Sequence, residues 1–366
     1  MQLFSRHIYI GVVLACLFSC GQGGKTTATS DGDTLKLRHA KLLQIVKHKD
    51  YCEVSVADPW KNDAILHKYI LAEKCPDGDV EGTFVKTPLQ RTIVFTAAHC
   101  GLFGELGVKK AVAGVCDKQY FMAGWVRGLP DCGNAMNPNI ERIITLKPDG
   151  ILLSPFQNSG GYGKVEQLGV PIIEAADYME TSALGRAEWM LFYGMLVGKE
   201  KEARKMFDEI EENYSQMSKE AKKCCQKSPL VMVDMKQSSS WYVPGGKSTL
   251  GKMILDAGGS YAFADDNRSG SIPLSIETML ELNHDADVWL IKYNAGTDIS
   301  LHQLASDNQS YSKFKAFKDG NVYGCNTQYV PFYEEVPFHP DWLLKDYIRM
   351  FNNKSDSLRY YKCVGL

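Results

Sequence analysis

A glycine-lysine-serine run, a strand-end histidine, eleven cysteines and a set of loop aromatics are the residues through which this sequence could do chemistry. Gly245-Gly246-Lys247-Ser248-Thr249 ends like a loop that wraps phosphates, but the full pattern G-x-x-x-x-G-K-[ST] needs a glycine where Trp241 stands. Without that turn the backbone cannot enclose a triphosphate, and the segment is expected to be a turn capping a helix that begins near Ser248. No CxxC pair and no His/Cys spacing suited to a structural zinc site occurs, so no direct protein-metal site is expected. Cys224-Cys225 reads as a helix-end coincidence. The aromatics Tyr120, Phe121, Trp125, Phe156, Tyr162, Trp241, Tyr242, Tyr329, Phe332 and Tyr333 fall in loop-like contexts, with Arg127 among them. Aromatic faces suit a large planar or bulky ligand, although an aromatic near a strand end often belongs to the core.

Phe95-Thr-Ala-Ala-His99-Cys100 looks like the histidine motif of trypsin-like serine proteases, and Asn158-Ser159-Gly160-Gly161 is similar to their nucleophile loop. A triad needs an imidazole beside the serine hydroxyl and a buried carboxylate orienting it. Here no Asp precedes the serine and no Pro follows the glycines. The motifs lie too close together for two β-barrels to surround them, so the match is coincidental. His99 sits at a strand-to-helix junction, where a histidine faces a ligand, caps a helix or packs inside. An envelope α/β hydrolase is the competing enzyme reading, but no G-x-S-x-G elbow and no HExxH helix appears.

The elements around these residues alternate. Strands are expected at 91–96, 111–115, 149–154 and 171–174, with helices at 98–106 and 164–168 between them. Continuous apolar strands separated by helices imply a parallel sheet buried on both faces. A helical region follows, 182–196 and then 200–223. In the second helix Ala203, Met206, Phe207, Ile210, Tyr214, Met217 and Ala221 form one apolar stripe. The alternation resumes with strands at 230–235, 287–291 and 321–324 and helices at 248–257, 275–282 and 341–351. Leu35 to Val85 suggests a hairpin added to the first lobe.

The chain has 366 residues, 41 basic against 43 acidic, for a formal charge of -2. No basic surplus argues for nucleic acid. Arg6 and His7 precede an apolar run from Ile8 to Phe18, which is too short for a hydrocarbon core needing roughly 20 residues and reads as a signal peptide. Leu17-Phe18-Ser19-Cys20-Gly21 resembles the lipobox of bacterial lipoproteins, which implies that Cys20 is lipidated. Cys16 is a second candidate, and a cleaved signal with a bystander cysteine is the plainer alternative. Gly21 to Asp33 is a polar stretch rich in Gly, Thr and Ser, suited to a tether.

In order and spacing, the blocks from about Pro88 to Tyr347 resemble the periplasmic binding proteins that take up ferric siderophores, haem and cobalamin. The resemblance rests on Leu89-Gln-Arg-Thr-Ile-Val-Phe-Thr, on Asn139-Ile-Glu141-Arg-Ile-Ile-Thr-Leu-Lys-Pro-Asp-Gly-Ile-Leu-Leu153 and on Gly198-Lys-Glu-Lys-Glu-Ala203. It rests also on Gly246-Lys-Ser-Thr-Leu-Gly with Leu255-Asp-Ala-Gly-Gly259, and on Leu274-Ser-Ile-Glu277 with Ala286-Asp-Val-Trp-Leu-Ile. It implies an α/β fold of two lobes, mainly parallel sheets flanked by helices, joined by one long rigid helix. The expected division is a signal peptide at 1–19, a lipidated cysteine and tether at 20–34, one lobe at 35–180, a helical connection at 181–228 and a second lobe at 229–366. It also implies a non-enzymatic, monomeric binder, held at the periplasmic side of the envelope, that delivers an iron chelate or cobalamin to an ABC permease and its ATPase. A capture lipoprotein without a permease is the remaining alternative. Glu141 and Glu277 match the family's permease-docking carboxylates; as helix N-terminal acids they also suit the helix dipole. The expected ligand contacts are Trp125, Arg127, Phe156, Trp241, Tyr242, Tyr329, Phe332, Tyr333 and His99. Haem would favour ligation by His99, Tyr120 or His339, and an anionic siderophore would need Arg127, Arg268 or Lys292.

Overall fold

A computed structural model describes residues 32–157, 161–224, 228–354 and 356–365. Cys20 with its leader, the tether as far as Asp31, the Asn158-Ser159-Gly160 stretch and Cys225 fall outside the described residues. The chain enters as a five-stranded sheet ordered β1 (Asp33–Thr34), β2 (Leu43–Lys47), β3 (Cys52–Ala57), β4 (Ile65–Ala72) and β5 (Thr83–Lys86). The first four strands pair antiparallel, and β5 joins β4 in parallel. The expected hairpin is therefore the centre of a larger sheet. The reason is physical: a lone hairpin covers too little apolar surface to persist, whereas these strands bury Ile45, Val54, Tyr69 and Val85 completely.

Next come β6 (Thr92–Val94), α1 (Ala97–Glu105), β7 (Val112–Val115), the small ribbon β8 (Gly133–Asn134) and β9 (Asn137–Pro138), α2 (Ile140–Leu146), β10 (Gly150–Leu153) and β11 (Ile172–Glu174). β11-β10-β6-β7 form an all-parallel sheet, and every residue of β6 and β10 is buried, as expected for strands covered on both faces. The helix expected at 182–196 is two, α3 (Ala183–Glu188) and α4 (Met190–Leu196), meeting at the buried Trp189. Gly198 turns the chain with φ 69° into α5 (Glu200–Cys224).

At 25 residues α5 is about 37 Å long. Ala203, Phe207, Ile210, Tyr214 and Ala221 are buried along its length, so the stripe read from the sequence is the packed face. Its first half meets the N-terminal sheet side through Lys47–Glu200 and Arg38–Asp208 pairs. Farther along, Tyr214 Oη and Lys222 Nζ donate to Asp256 at 2.9 and 2.7 Å, in the second lobe.

That lobe contains β12 (Val231–Val233), β13 (Lys236–Gln237), β14 (Ser240–Pro244), α6 (Thr249–Asp256), β15 (Ser271–Leu274), α7 (Ile276–Asn283) and β16 (Val288–Tyr293). It continues with α8 (Leu301–Asp307), α9 (Lys315–Lys318), β17 (Val322–Asn326), α10 (Phe332–Glu335), α11 (Pro340–Phe351) and β18 (Lys362–Cys363). β12-β16-β17 run parallel with β18 antiparallel at the edge. A three-stranded sheet β13-β14-β15 is added, which the sequence pattern hid because Pro273 interrupts an already short strand. The fold is thus the expected α/β pair of lobes with parallel sheets and one long helix. The lobes also touch directly: Thr249 Oγ1 donates to the Glu180 carbonyl at 3.1 Å, and His339 Nε2 lies 2.6 Å from Glu105.

Candidate functional site

In parallel α/β sheets the loops leaving the carboxyl ends of the strands form the natural crevice for a ligand. Both sheets here send such loops into one cleft of about 1220 Å³. Tyr120 reaches it from the turn after β7, Tyr178 from the turn after β11, and Arg186 from α3. Opposite them stand Asp234 after β12, Tyr242 on β14, Lys292 and Tyr293 at the end of β16, and Tyr333 on α10. Tyr120, Tyr242 and Tyr333 are well exposed, which leaves aromatic faces from both lobes open to a guest. Lys292 Nζ lies 5.4 Å over the Phe332 ring. Burial pushes the Asp234 carboxyl up, against the opposing pull of Lys292.

Beneath the lobe-one wall lies a buried polar cluster. Thr96 caps α1, its hydroxyl accepting from the His99 amide and bonding the His99 ring at Nδ1. His99 Nε2 is 3.0 Å from Asp177 Oδ1, which also accepts from Tyr193 Oη at 2.8 Å. Arg186 Nε donates to Asp177 Oδ2 at 2.9 Å. Burial alone pushes the Asp177 carboxyl up, but the His99 and Arg186 charges with these hydrogen bonds more than offset it. They hold the group well below the usual carboxylate range.

His99 is therefore a buried member of this cluster, not a cleft ligand; both ring nitrogens are engaged and only 1% of the residue is exposed. Trp241 is likewise corrected. It is fully buried on the opposite face of β14 from Tyr242, donates Nε1–H to the Val233 carbonyl at 2.8 Å and stacks on Trp289 with centroids 5.8 Å apart. Phe332 is buried beneath Lys292. Tyr329 is exposed but donates to the Gly296 carbonyl beside the cleft. Trp125 packs against Gly104 and Lys109, Arg127 is exposed on the same short turn, Gly124–Gly128, and neither lines the cleft. His339 is stacked on Trp342 at 3.7 Å, also away from it. Of the expected contacts, Tyr242 and Tyr333 come together there, with Tyr120 and Lys292 from the ligand-specific sets.

Phe156 lines a second cavity, of about 680 Å³, beside Glu141 on lobe one. Glu141 and Glu277 each occupy the first turn of an exposed helix, α2 and α7, one per lobe, and neither is in an ion pair among the described residues. The glycine-lysine-serine run is the expected cap: Ser248 Oγ accepts from the Gly251 amide at 3.0 Å. A Cβ on Gly246 would sit 2.3 Å from the Ala264 carbonyl oxygen, so the glycine is there for close backbone packing. Arg186, Asp177 and Tyr178 were not singled out from sequence. The available signal was the pair of charges, Arg186 and Glu188, inside an otherwise apolar helical run.

The model of a family described as periplasmic binding protein matches residues 93–329. An uncharacterized lipoprotein of Methanocaldococcus jannaschii is 31% identical over 318 residues, covering 78% of this chain and 75% of its own. A periplasmic heme binding protein from Pseudomonas aeruginosa has a similar fold, with TM-score 0.61 at 15% identity, over 76% of this chain and 98% of that one. A protein of an ABC-type Fe3+-hydroxamate transport system from Saccharomonospora viridis is similar with TM-score 0.58 at 18% identity, over 73% and 94%. Nearly the whole of each neighbour is matched, while about a quarter of this chain is not; the sheet β1–β5 precedes the family match.

Proposed function

The chain belongs to the periplasmic binding protein family, and from that premise we propose that it captures a metal chelate in the interlobe cleft and hands it to an ABC permease. The family is one of substrate-binding proteins rather than enzymes. The observation that carries the proposal is the open cleft at the carboxyl ends of both parallel sheets, with exposed tyrosines from each lobe. Its volume of about 1220 Å³ suits a bulky guest, above the usual few hundred Å³ of small-ligand pockets. The heme binding protein and the Fe3+-hydroxamate transport protein among the structural neighbours support an iron chelate, and cobalamin has the same demand for aromatic surface. If the guest is haem, the cleft offers tyrosine hydroxyls for axial ligation.

Glu141 and Glu277 are the proposed docking charges. One exposed carboxylate per lobe fixes the orientation of a partner carrying two cations and speeds its encounter. Cys20 is proposed as the lipid anchor that keeps this binder, as a monomer, at the periplasmic face near its permease and ATPase. The lipoprotein name of the M. jannaschii relative supports that reading.

The test is a thermal-shift screen of haem, cyanocobalamin and ferric siderophores. A ligand held at 100 times its dissociation constant stabilises by about 2.7 kcal/mol. Silence across the whole panel would defeat the chelate class. The double reversal Glu141→Lys with Glu277→Lys is expected to abolish uptake and leave ligand affinity unchanged; a lost affinity would remove the docking assignment.

A further inference from the structure

Arg186 lines the cleft, and its direction is set by a fully buried counter-charge. Its Nε holds Asp177, and Asp177 is itself fixed by His99 and Tyr193. A guanidinium has five N–H donors in a planar fork, and only the Nε–H has a partner among the described residues. The remaining edge lies at the cleft, where the side chain keeps 27% of its surface exposed. If Arg186 served only to neutralise Asp177, nothing would require the fork to border the cleft.

The helix that carries Arg186 is pinned from both sides. A Cβ on Gly185 would meet Ser182 Oγ at 2.7 Å, the His39 carbonyl oxygen at 3.0 Å and Glu180 Oε2 at 3.2 Å. Glu188, fully buried, accepts the amides of Arg38, His39 and Ala40, and Glu180 accepts those of Lys41 and Leu42. Residues 38–42 lie outside the family match and belong to the N-terminal addition. The added segment thus holds α3, and with it the fork, in one place. A fork fixed before the ligand arrives loses little freedom on binding.

We infer that Arg186 is a specificity-determining residue that receives an oxyanionic group of the ligand, a carboxylate, phosphodiester or catecholate, through its free edge, with Asp177 as its positioning residue. This rests on the chelate reading of the cleft. The chemistry is shared by three chelate sources, and matched pairs separate them.

Affinities are measured by titration calorimetry on the full chain in mild detergent. The pairs are haem against its dimethyl ester, cyanocobalamin against dicyanocobinamide, which lacks the phosphodiester, and an anionic ferric tris-catecholate against a neutral ferric trihydroxamate. In one pair the oxyanionic member is expected to bind about tenfold or more tighter, the scale of one hydrogen bond to a charged group. Arg186→Ala should erase that ratio while leaving the neutral member's affinity unchanged. Arg186→Lys, which keeps the charge but not the fork, should retain part of it. Asp177→Asn should weaken only the oxyanionic member. A chelate that binds equally well with and without its oxyanion overturns the inference and leaves the proposed function standing. So does a ratio that survives Arg186→Ala. If no member of any pair binds, the chelate reading falls and the inference falls with it. The wild-type pair comparison needs no variant, so a poorly folding Arg186→Ala does not blunt the test.

Discussion

On the lobe-one side of the cleft, Arg186 stands on Asp177, His99 and Tyr193, all three buried and joined by hydrogen bonds. On the lobe-two side, Tyr242 stands on a strand whose other face carries Trp241, stacked with Trp289 and flanked by Tyr311 and Phe314. The first support is ionic and gives direction: it aims one guanidinium edge. The second is apolar and gives shape: it holds an aromatic surface level without aiming any charge. An ionic support depends on protonation and on every member being present, because a buried charge left alone is costly. An apolar support is indifferent to pH and depends on volume. The two walls should therefore fail in different ways.

The largest effects come from the supports themselves. Trp289→Ala removes a fully buried ring in contact with Trp241, Tyr311 and Phe314 at 5.2 to 5.8 Å. It is expected to cost about 3–5 kcal/mol in urea unfolding, at any pH between 4 and 8. A loss under about 1 kcal/mol would mean the stack is not what holds the lobe-two wall. Asp177→Asn should cost up to about 3–5 kcal/mol at neutral pH, the range for breaking a buried pair.

Asp177 carries a pH signature that Trp289 lacks. Its folded value is depressed, so its stabilisation is present above the unfolded value of about 3.9 and is lost as pH falls toward the folded one. The gap in unfolding free energy between the wild type and Asp177→Asn should then shrink by about 1.4 kcal/mol per pH unit below about pH 4. The corresponding gap for Trp289→Ala should stay flat. A flat Asp177→Asn gap down to pH 3 would erase the contrast between the walls.

How much of this was legible depended on how local the signal was. The stripe on α5 and the capping serine of α6 are short-range patterns, and both are where the sequence put them. Glu141 and Glu277 are exposed first-turn acids, as their spacing implied. The cleft was harder. Trp241 and Tyr242 read as one aromatic cluster, yet a strand sends neighbours to opposite faces, and the unnoticed β14 buries one while exposing the other. Arg186 and Glu188 are charges in an apolar run that went unread, because their partners, Asp177 and residues 38–40, approach only in the fold. Spacing along the chain carries no trace of a contact made across 150 positions.

The smallest effect sharpens the contrast most, because it separates a wall from its support. Tyr242→Ala lies next to Trp241 in sequence and differs from it only in which face of β14 it occupies. With 45% of its surface exposed and no side-chain partner among the described residues, it should change stability by no more than about 0.5 kcal/mol. Its ring is open to a guest, and a lost aromatic contact of about 0.5–1.5 kcal/mol should weaken chelate binding by roughly two- to tenfold. Because the ring carries no charge, that loss should be equal for the oxyanionic and neutral members of each ligand pair, unlike the loss at Arg186. A Tyr242→Ala variant that destabilises as Trp289→Ala does would show that the outer face of β14 is part of the support. One that discriminates between the paired chelates would show that lobe two also reads charge, and the division between an aiming wall and a shaping wall would have to be given up.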